Sequence, residues 1–123
     1  MFRHGMTLLV GAIALSDMAS MAFAQSAFEG RWSAVIQTDK GSCDPAYRYG
    51  FAVANGIVTY SGDSSFEVSG RVAQSGTVHV RVSHGSEYAD GTGRLLRDSG
   101  TGVWSGVTSA GACSGRWFAD RRG

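Results

Sequence analysis

The sequence predicts an all-β domain, a small antiparallel meander of eight or nine short strands that closes into a barrel. The first reason is a Gly-Arg-apolar triplet that starts at positions 30, 70, 93 and 115. Its last three copies are spaced by the length of two short strands with their turns. The second is an alternation of apolar and polar residues with the period of a strand, without helical apolar spacing. The third is the content of 18 glycines, most of them at predicted turns. Closure removes exposed strand edges, and a two-sheet sandwich is the alternative.

The N-terminal segment has the features of a secretory signal peptide, which we assign to residues 1–24. Arg3 provides a positive start, Met6 to Leu15 form an apolar run, and Ala22 to Ala24 have the small-x-small form of a cleavage site. The apolar run ends before it reaches the roughly 20 residues that a membrane span needs, so we expect no stable membrane anchor. Residues 25–123 then form one domain, exported to the periplasm or secreted.

The first strand of the domain is predicted from Phe28 to Thr38, and a loop follows it. Trp32, Ala34 and Ile36 share one face of this strand. The segment from Asp39 to Ala46 is rich in turn-forming residues and is expected to be irregular.

A hairpin is predicted next, around Asn55-Gly56. Its first strand has alternating apolar residues, namely Tyr47, Tyr49, Phe51 and Val53. Asn-Gly is typical of a two-residue hairpin turn, because both turn positions need positive φ. The return strand runs from Ile57 to Tyr60, and this hairpin also argues against a parallel β-helix.

The C-terminal half predicts two more hairpins with a single strand between them. The inward positions of the first pair are Phe66, Val68, Gly70, Val72, Val78, Val80 and Val82. The strand from Tyr88 to Leu96 contains Gly91 and Gly93, where we expect a bulge or sharp coiling. Val103 to Val107 pairs with Cys113 to Ala119, and the polar tail after Ala119 is expected to fray.

Two cysteines, Cys43 and Cys113, lie in the exported part of the chain, and they predict one disulfide. It would close a loop of about 70 residues, which chain entropy values at about 4 kcal/mol. Neither Cys has another Cys or a His nearby in sequence, so a metal pair or a catalytic thiol is a weaker interpretation.

The triplet Gly30-Arg31-Trp32 at the start of the first strand resembles the Gly-x-Trp signature of lipocalins and related calycin barrels. The resemblance implies that Trp32 closes one end of the barrel, with a basic side chain of the last strand packed across it; Arg116 is the candidate. The chain is shorter than a lipocalin and looks more like small exported calycin-type barrels. It is also similar to short exported proteins of alphaproteobacteria, which implies no function.

The residues give little support for catalysis, metal binding or nucleic-acid binding. A net charge of +1 provides no electrostatic attraction to nucleic acid. No Gly-x-Ser-x-Gly element is present, and His79 and His84 are spaced to face opposite sides of a strand. We therefore expect no catalytic residue, no metal and no cofactor.

The aromatic residues fall mostly on inward positions, where they would fill the core first. If the barrel is not filled, they would line a pocket for an apolar ligand. The candidate ligand or partner contacts are Tyr47, Tyr49, Trp104, Phe118, His79 and Arg81. Phe118 is expected to face outward, in a patch with Val35.

Three hypotheses of function follow. The first is an exported, non-catalytic binding module that meets a protein partner through a loop or sheet face; inhibition of an exported enzyme is one version, and the disulfide-tied loop favours it. The second is a calyx that binds a small hydrophobic molecule, which requires a cavity of a few hundred cubic ångströms. The third is a small enzyme without a recognisable motif.

Overall fold

The computed structural model describes residues 27–62 and 65–123, so the signal peptide predicted for residues 1–24 lies outside the described residues. The described chain forms eight strands: β1 (Gly30–Lys40), β2 (Ala46–Ala54), β3 (Ile57–Tyr60), β4 (Glu67–Val72), β5 (Thr77–His84), β6 (Glu87–Leu95), β7 (Ser99–Thr108) and β8 (Gly111–Arg121). Each strand is antiparallel to the next, and β8 pairs with β1 to close the barrel. The predicted closed meander is therefore confirmed, and the two-sheet alternative is wrong.

The antiparallel order gives the barrel two distinct ends. Odd-numbered strands end where even-numbered strands begin. The connections 41–45, 85–86 and 109–110 therefore gather at one end, together with Tyr60 at the end of β3 and Phe66 just before β4. We call this the open end. The connections 55–56, 73–76 and 96–98 gather at the other, which we call the closed end. The Asn55-Gly56 turn at the closed end has the predicted positive φ at both residues.

The hydrophobic core is densest at the closed end. Trp32 and Leu95 are each only 1% exposed. The Trp32 ring stacks on Phe51 at 6.2 Å, and its Nε1 donates a hydrogen bond to the Phe28 carbonyl at 3.0 Å. The indole is thus fixed in place with its one donor satisfied, which plugs this end of the barrel.

The cation packed across Trp32 is Arg121, and the expectation for Arg116 is wrong. The Arg121 guanidinium lies 4.7 Å from the Trp32 ring centroid. Arg116 instead faces outward and pairs with Asp39 at 2.9 Å. The reason is the strand period: Arg116 is adjacent to the inward Trp117 and must face the other way, whereas Arg121 shares the inward parity of Trp117.

Gly91 and Gly93 do not produce the expected bulge, since β6 keeps an unbroken register with both β5 and β7. Gly93 instead makes room for the Trp117 side chain. A methyl group at Gly93 or at Gly102 of β7 would come within 2.5 Å of the Trp117 indole. The register shift found in the described ladders lies between Thr38 and Lys40, where β1 meets β8.

The polar tail is paired rather than frayed, contrary to expectation. β8 extends to Arg121, and the Arg122 amide donates to the Arg31 carbonyl at 2.7 Å. The Arg31 amide in turn donates to the Gly123 carbonyl at 2.9 Å. The ladder between β1 and β8 therefore continues through the closed end.

The disulfide joins Cys43 and Cys113, as predicted, with a Cα–Cα distance of 6.2 Å. It ties the loop 41–45 to β8 at the open end, and this loop is shorter than predicted because β1 continues to Lys40. A disulfide of this kind is typical of an oxidising, extracytoplasmic environment. Among residues 27–62 and 65–123, no helix is long and apolar enough to cross a membrane.

Candidate functional site

The barrel is hollow towards its open end, where it encloses a cavity of about 500 Å³. Small inward residues leave this space. Ala34, Ala89 and Gly91 all line the cavity, at positions where a larger side chain would reach towards the barrel axis. The expectation that aromatic residues serve first as core filling therefore holds for Trp32 at the closed end but not for the open half.

The inner part of the cavity is apolar. Its lining includes Val58, Val78, Val80, Leu95, Trp104 and Trp117. Both indoles have their N–H groups satisfied by backbone carbonyls, Trp104 by Gln37 at 2.9 Å and Trp117 by Thr92 at 3.1 Å. Since no indole donor is left free, these side chains offer the cavity only their apolar surface.

One side of the cavity, nearer the open end, is an aromatic wall formed by Tyr47, Tyr49, Tyr60 and Phe66. Tyr47 and Tyr49 stack at 6.0 Å between ring centroids. Tyr49 meets Tyr60 at 6.1 Å and Phe66 at 6.0 Å, both edge to face. Tyr60 and Phe66 meet at 5.8 Å. The three-way edge-to-face contact is a favoured aromatic geometry and holds the wall in a defined shape.

The aromatic wall lies where the barrel is least tightly paired. β3 and β4 share one ladder pair in the described chain, Ile57 with Arg71, near the closed end. Beyond it, Tyr60, Phe66 and Val68 line the cavity from the two sides of this seam. No further ladder pair joins the described residues of β3 and β4, and the rings of Tyr60 and Phe66 lie on the two sides of the seam towards the open end.

The rim of the cavity carries polar groups on several elements. They are Ser42, Asp44, His84, Glu87, Thr108 and Ser109. Glu87 accepts a hydrogen bond from the Ser109 amide at 2.6 Å, which fixes its carboxylate between β6 and the turn before β8. The Asp44 backbone carbonyl accepts a hydrogen bond from the Thr38 hydroxyl at 2.7 Å. This bond fixes the loop 41–45, which carries the Asp44 carboxylate.

Burial at the aromatic wall raises the pKa of Tyr49, with further contributions from Tyr47, Tyr60 and Asp44. Each of these effects opposes a negative charge on the Tyr49 oxygen. Burial, the largest of these effects, disfavours a charge of either sign, whereas the neighbouring Asp44 carboxylate disfavours an anion specifically.

The predicted contact residues divide between the inside and the outside. Tyr47, Tyr49 and Trp104 line the cavity. His79 and Arg81 are exposed on the outer face of β5, and Phe118 is 41% exposed on the outer face of β8. Arg81 forms an ion pair with Asp90, with 2.8 Å between Nε and Oδ1, and its guanidinium lies 4.5 Å from the Tyr88 ring centroid. Its charge is therefore already paired.

The two histidines do not meet. His79 faces outward, whereas His84 is at the cavity rim with its ring 5.5 Å from that of Phe66. In the part of the chain that the structure describes, no three His, Cys, Asp or Glu residues are grouped to hold a metal.

Sequence reasoning missed Asp44 and Glu87 as members of the site, and it included Tyr60 and Phe66 only among the inward aromatic residues that would line a pocket in an unfilled barrel. Tyr60 and Phe66 are inward residues at the open ends of β3 and β4, and that position was the available signal. Asp44 gave no signal, because a loop residue points to the rim or away from it according to loop conformation alone. Glu87 is the first residue of β6 but lies just before the strand predicted from Tyr88, so the predicted strand did not assign it a face.

Comparison with family models, with curated proteins and with solved structures gives no match for this chain.

Proposed function

We propose that this protein is an exported, non-catalytic calyx that binds a small, mostly apolar ligand inside the barrel. The observation that carries the proposal is the cavity of about 500 Å³ at the open end. Ligand pockets commonly have about 300–1,000 Å³, an apolar lining and a few polar groups at defined places. This cavity has the same size, lining and distribution of polar groups.

Export is part of the proposal, with the periplasm and the exterior both compatible with it. The disulfide between Cys43 and Cys113 needs an oxidising compartment to form. The signal-peptide features of residues 1–24 would direct the chain to export. The proposed relation to calycin barrels rests on Trp32 with Arg121, which come from the first and last strands.

A non-catalytic role is supported by the chemistry at the rim. Catalysis by a hydroxyl or thiol needs a base beside it. Both cysteines are in the disulfide, and the His84 ring contacts the ring of Phe66. Neither histidine has an assembled partner for proton transfer among the described side chains.

The test is a titration with the neutral fluorescent probe N-phenyl-1-naphthylamine, which brightens on entering an apolar site. We expect saturable binding with one site per chain. Val80→Trp fills the cavity from β5 and should weaken binding at least tenfold. Phe118→Ser removes an exposed apolar ring from the outer face and should leave binding unchanged.

The outcomes separate the cavity from the surface. Loss of binding in Phe118→Ser but not in Val80→Trp would place the probe outside the barrel and contradict the proposal. If Val80→Trp does not fold by circular dichroism, Val82→Phe serves in its place, since Val82 lines the same cavity. Absence of saturable binding to the unmodified chain would also contradict it.

The second candidate function is recognition of a protein partner by an outer patch of Val35, Val103 and Phe118. Phe118 is opposite Val35 in the β1–β8 register, and Val103 is 57% exposed on the neighbouring strand. We propose that a partner outside the cytoplasm would cover these side chains, and an enzyme that this protein inhibits is one version of such a partner. The disulfide-tied loop 41–45 is a less favoured contact, because its Cys43 and Asp44 line the cavity.

The patch is tested with the same two variants in reversed roles. A stoichiometric partner recovered from periplasm or culture fluid should be lost with Phe118→Ser and retained with Val80→Trp. The opposite pattern would exclude the patch.

A further inference from the structure

Among the described residues, the carboxylates at the rim of the cavity have no lysine or arginine to balance them. Asp44 and Glu87 line it from different elements, the loop after β1 and the start of β6. No lysine or arginine is among the described residues that line it. Lys40 and Arg81 are nearby in sequence, but they border a separate groove on the outer surface, with Tyr88 and Asp90. A ligand at the mouth therefore meets two carboxylates and no basic counter-ion apart from the imidazole of His84.

The aromatic wall has the same electrostatic preference. The face of an aromatic ring is the negative side of its quadrupole, and it attracts ammonium groups within about 6 Å. Tyr49 is the central member, since its ring contacts those of Tyr47, Tyr60 and Phe66. Burial is the main cause of the raised pKa of Tyr49, and Asp44 also contributes to it, which places the Asp44 charge near this ring.

We propose that the ligand is an organic cation, an amine or quaternary ammonium compound whose apolar body occupies the cavity and whose charged group lies at the mouth between the aromatic wall and the carboxylates of Asp44 and Glu87. This inference rests on the proposed calyx and adds its chemical selectivity. It separates the site from a fatty-acid site, which would need a cation to pair with the carboxylate head.

The experiment uses three probes that share a ten-carbon chain and differ in the head group: decyltrimethylammonium, decan-1-ol and decanoate. Their affinities are measured at pH 8, where an ordinary imidazole is neutral, by displacement of N-phenyl-1-naphthylamine. We expect the cation to bind about tenfold more tightly than the alcohol, and decanoate to bind about tenfold more weakly.

Two variants locate the selectivity. The double variant Asp44→Asn with Glu87→Gln keeps the shape and hydrogen-bonding capacity of both side chains. It should reduce the preference for the cation over the alcohol by about fivefold to tenfold. Asp120→Asn is the matched control, because it removes a carboxylate from the exposed outer face at the closed end. It should leave the preference unchanged.

A third variant, Tyr49→Leu, tests the aromatic contribution, since leucine keeps the apolar surface and removes the ring face. It should reduce the preference for the cation with little effect on the alcohol. Binding of decan-1-ol is also the internal check that each variant remains folded.

Failure of the inference and failure of the proposed function give different results. If none of the three probes binds the unmodified chain, the calyx itself is wrong. If decan-1-ol binds and the cation binds no better, or if decanoate binds best, the calyx stands and the cationic selectivity is overturned. A preference that persists in both the double variant and Tyr49→Leu would also overturn it.

Discussion

Arg121 shows how the parity of a position along a strand decides what a side chain does. Its guanidinium donates to the carbonyls of Ala27, Glu29 and Arg97 and lies over the ring of Trp32. Arg116, five positions earlier and equally basic, faces solvent. A basic residue of the last strand does lie across Trp32, but it is Arg121 and not the predicted Arg116.

The first prediction compares these two arginines. Arg121→Ala should lower the free energy of unfolding by about 2–3 kcal/mol, because it removes charge-assisted hydrogen bonds and a cation–π contact. Arg116→Ala should change it far less, since its ion pair with Asp39 is exposed and hydrated. Urea denaturation measures both, and a larger loss for Arg116→Ala would contradict the assignment.

The second prediction concerns the glycines around Trp117. Gly93→Ala and Gly102→Ala should each cost about 2–3 kcal/mol, because the new methyl would overlap the indole and neighbouring backbone. Gly91→Ala is the control: its methyl would lie 3.7 Å from the Trp117 Nε1, an ordinary contact, so a change under about 1 kcal/mol is expected. Equal losses in all three would mean that strand geometry, not Trp117, requires glycine.

At the scale of elements, the ladder from β5 to β8 is regular and the seam between β3 and β4 is loose. The Asn55-Gly56 hairpin was predictable because its turn chemistry is local and specific. Its turn amides are also held by the Glu29 carboxylate, at 2.6 Å to Asn55 and 3.2 Å to Gly56. The pairing of β3 with β4 has no comparable local signal, because six residues separate the two strands in the sequence.

The third prediction concerns the disulfide that joins the loop 41–45 to β8. Replacement of Cys43 and Cys113 by alanine should lower the free energy of unfolding by about 3–4 kcal/mol, since the unfolded chain regains the freedom of the closed loop. The same change should weaken binding of the naphthylamine probe, because Cys43 lies at the cavity rim. Denaturation with and without reductant checks the first effect, and a change below about 1 kcal/mol would contradict it.

The fourth prediction concerns the cross-strand ion pairs. Hydrogen bonds from Arg116 and Arg81 lower the pKa of Asp39 and of Asp90 respectively. A lowered pKa contributes stability that is present above the ordinary value of about 4 and lost as the pH falls through the folded-state value. Stability should therefore fall below about pH 4.

The variant with Asp39→Asn and Asp90→Asn checks that prediction by urea midpoints at pH 6 and pH 3. It should show a smaller difference between the two pH values than the unmodified chain. Because both carboxylates are exposed, added salt should reduce the effect. An unchanged pH dependence in the variant would show that these pairs do not contribute.

At the scale of the whole molecule, the sequence was sufficient for the closed meander, the disulfide and the inward face of most strands. The period of two assigns Val78, Val80 and Val82 to the interior, and they lie there. It could not show that the open half is hollow. That depends on the barrel radius and on where Ala34, Ala89 and Gly91 come together, which is a property of register across strands.

The measurement that tests the central claim most directly is methyl NMR of the valines during titration with decyltrimethylammonium. A ligand inside the barrel should shift the methyl signals of Val58, Val78, Val80 and Val82, which line the cavity. The signals of Val103 and Val107, exposed on the outer face of β7, should not move. Shifts confined to Val103 and Val107, or no shifts at saturating ligand, would contradict a ligand-binding calyx.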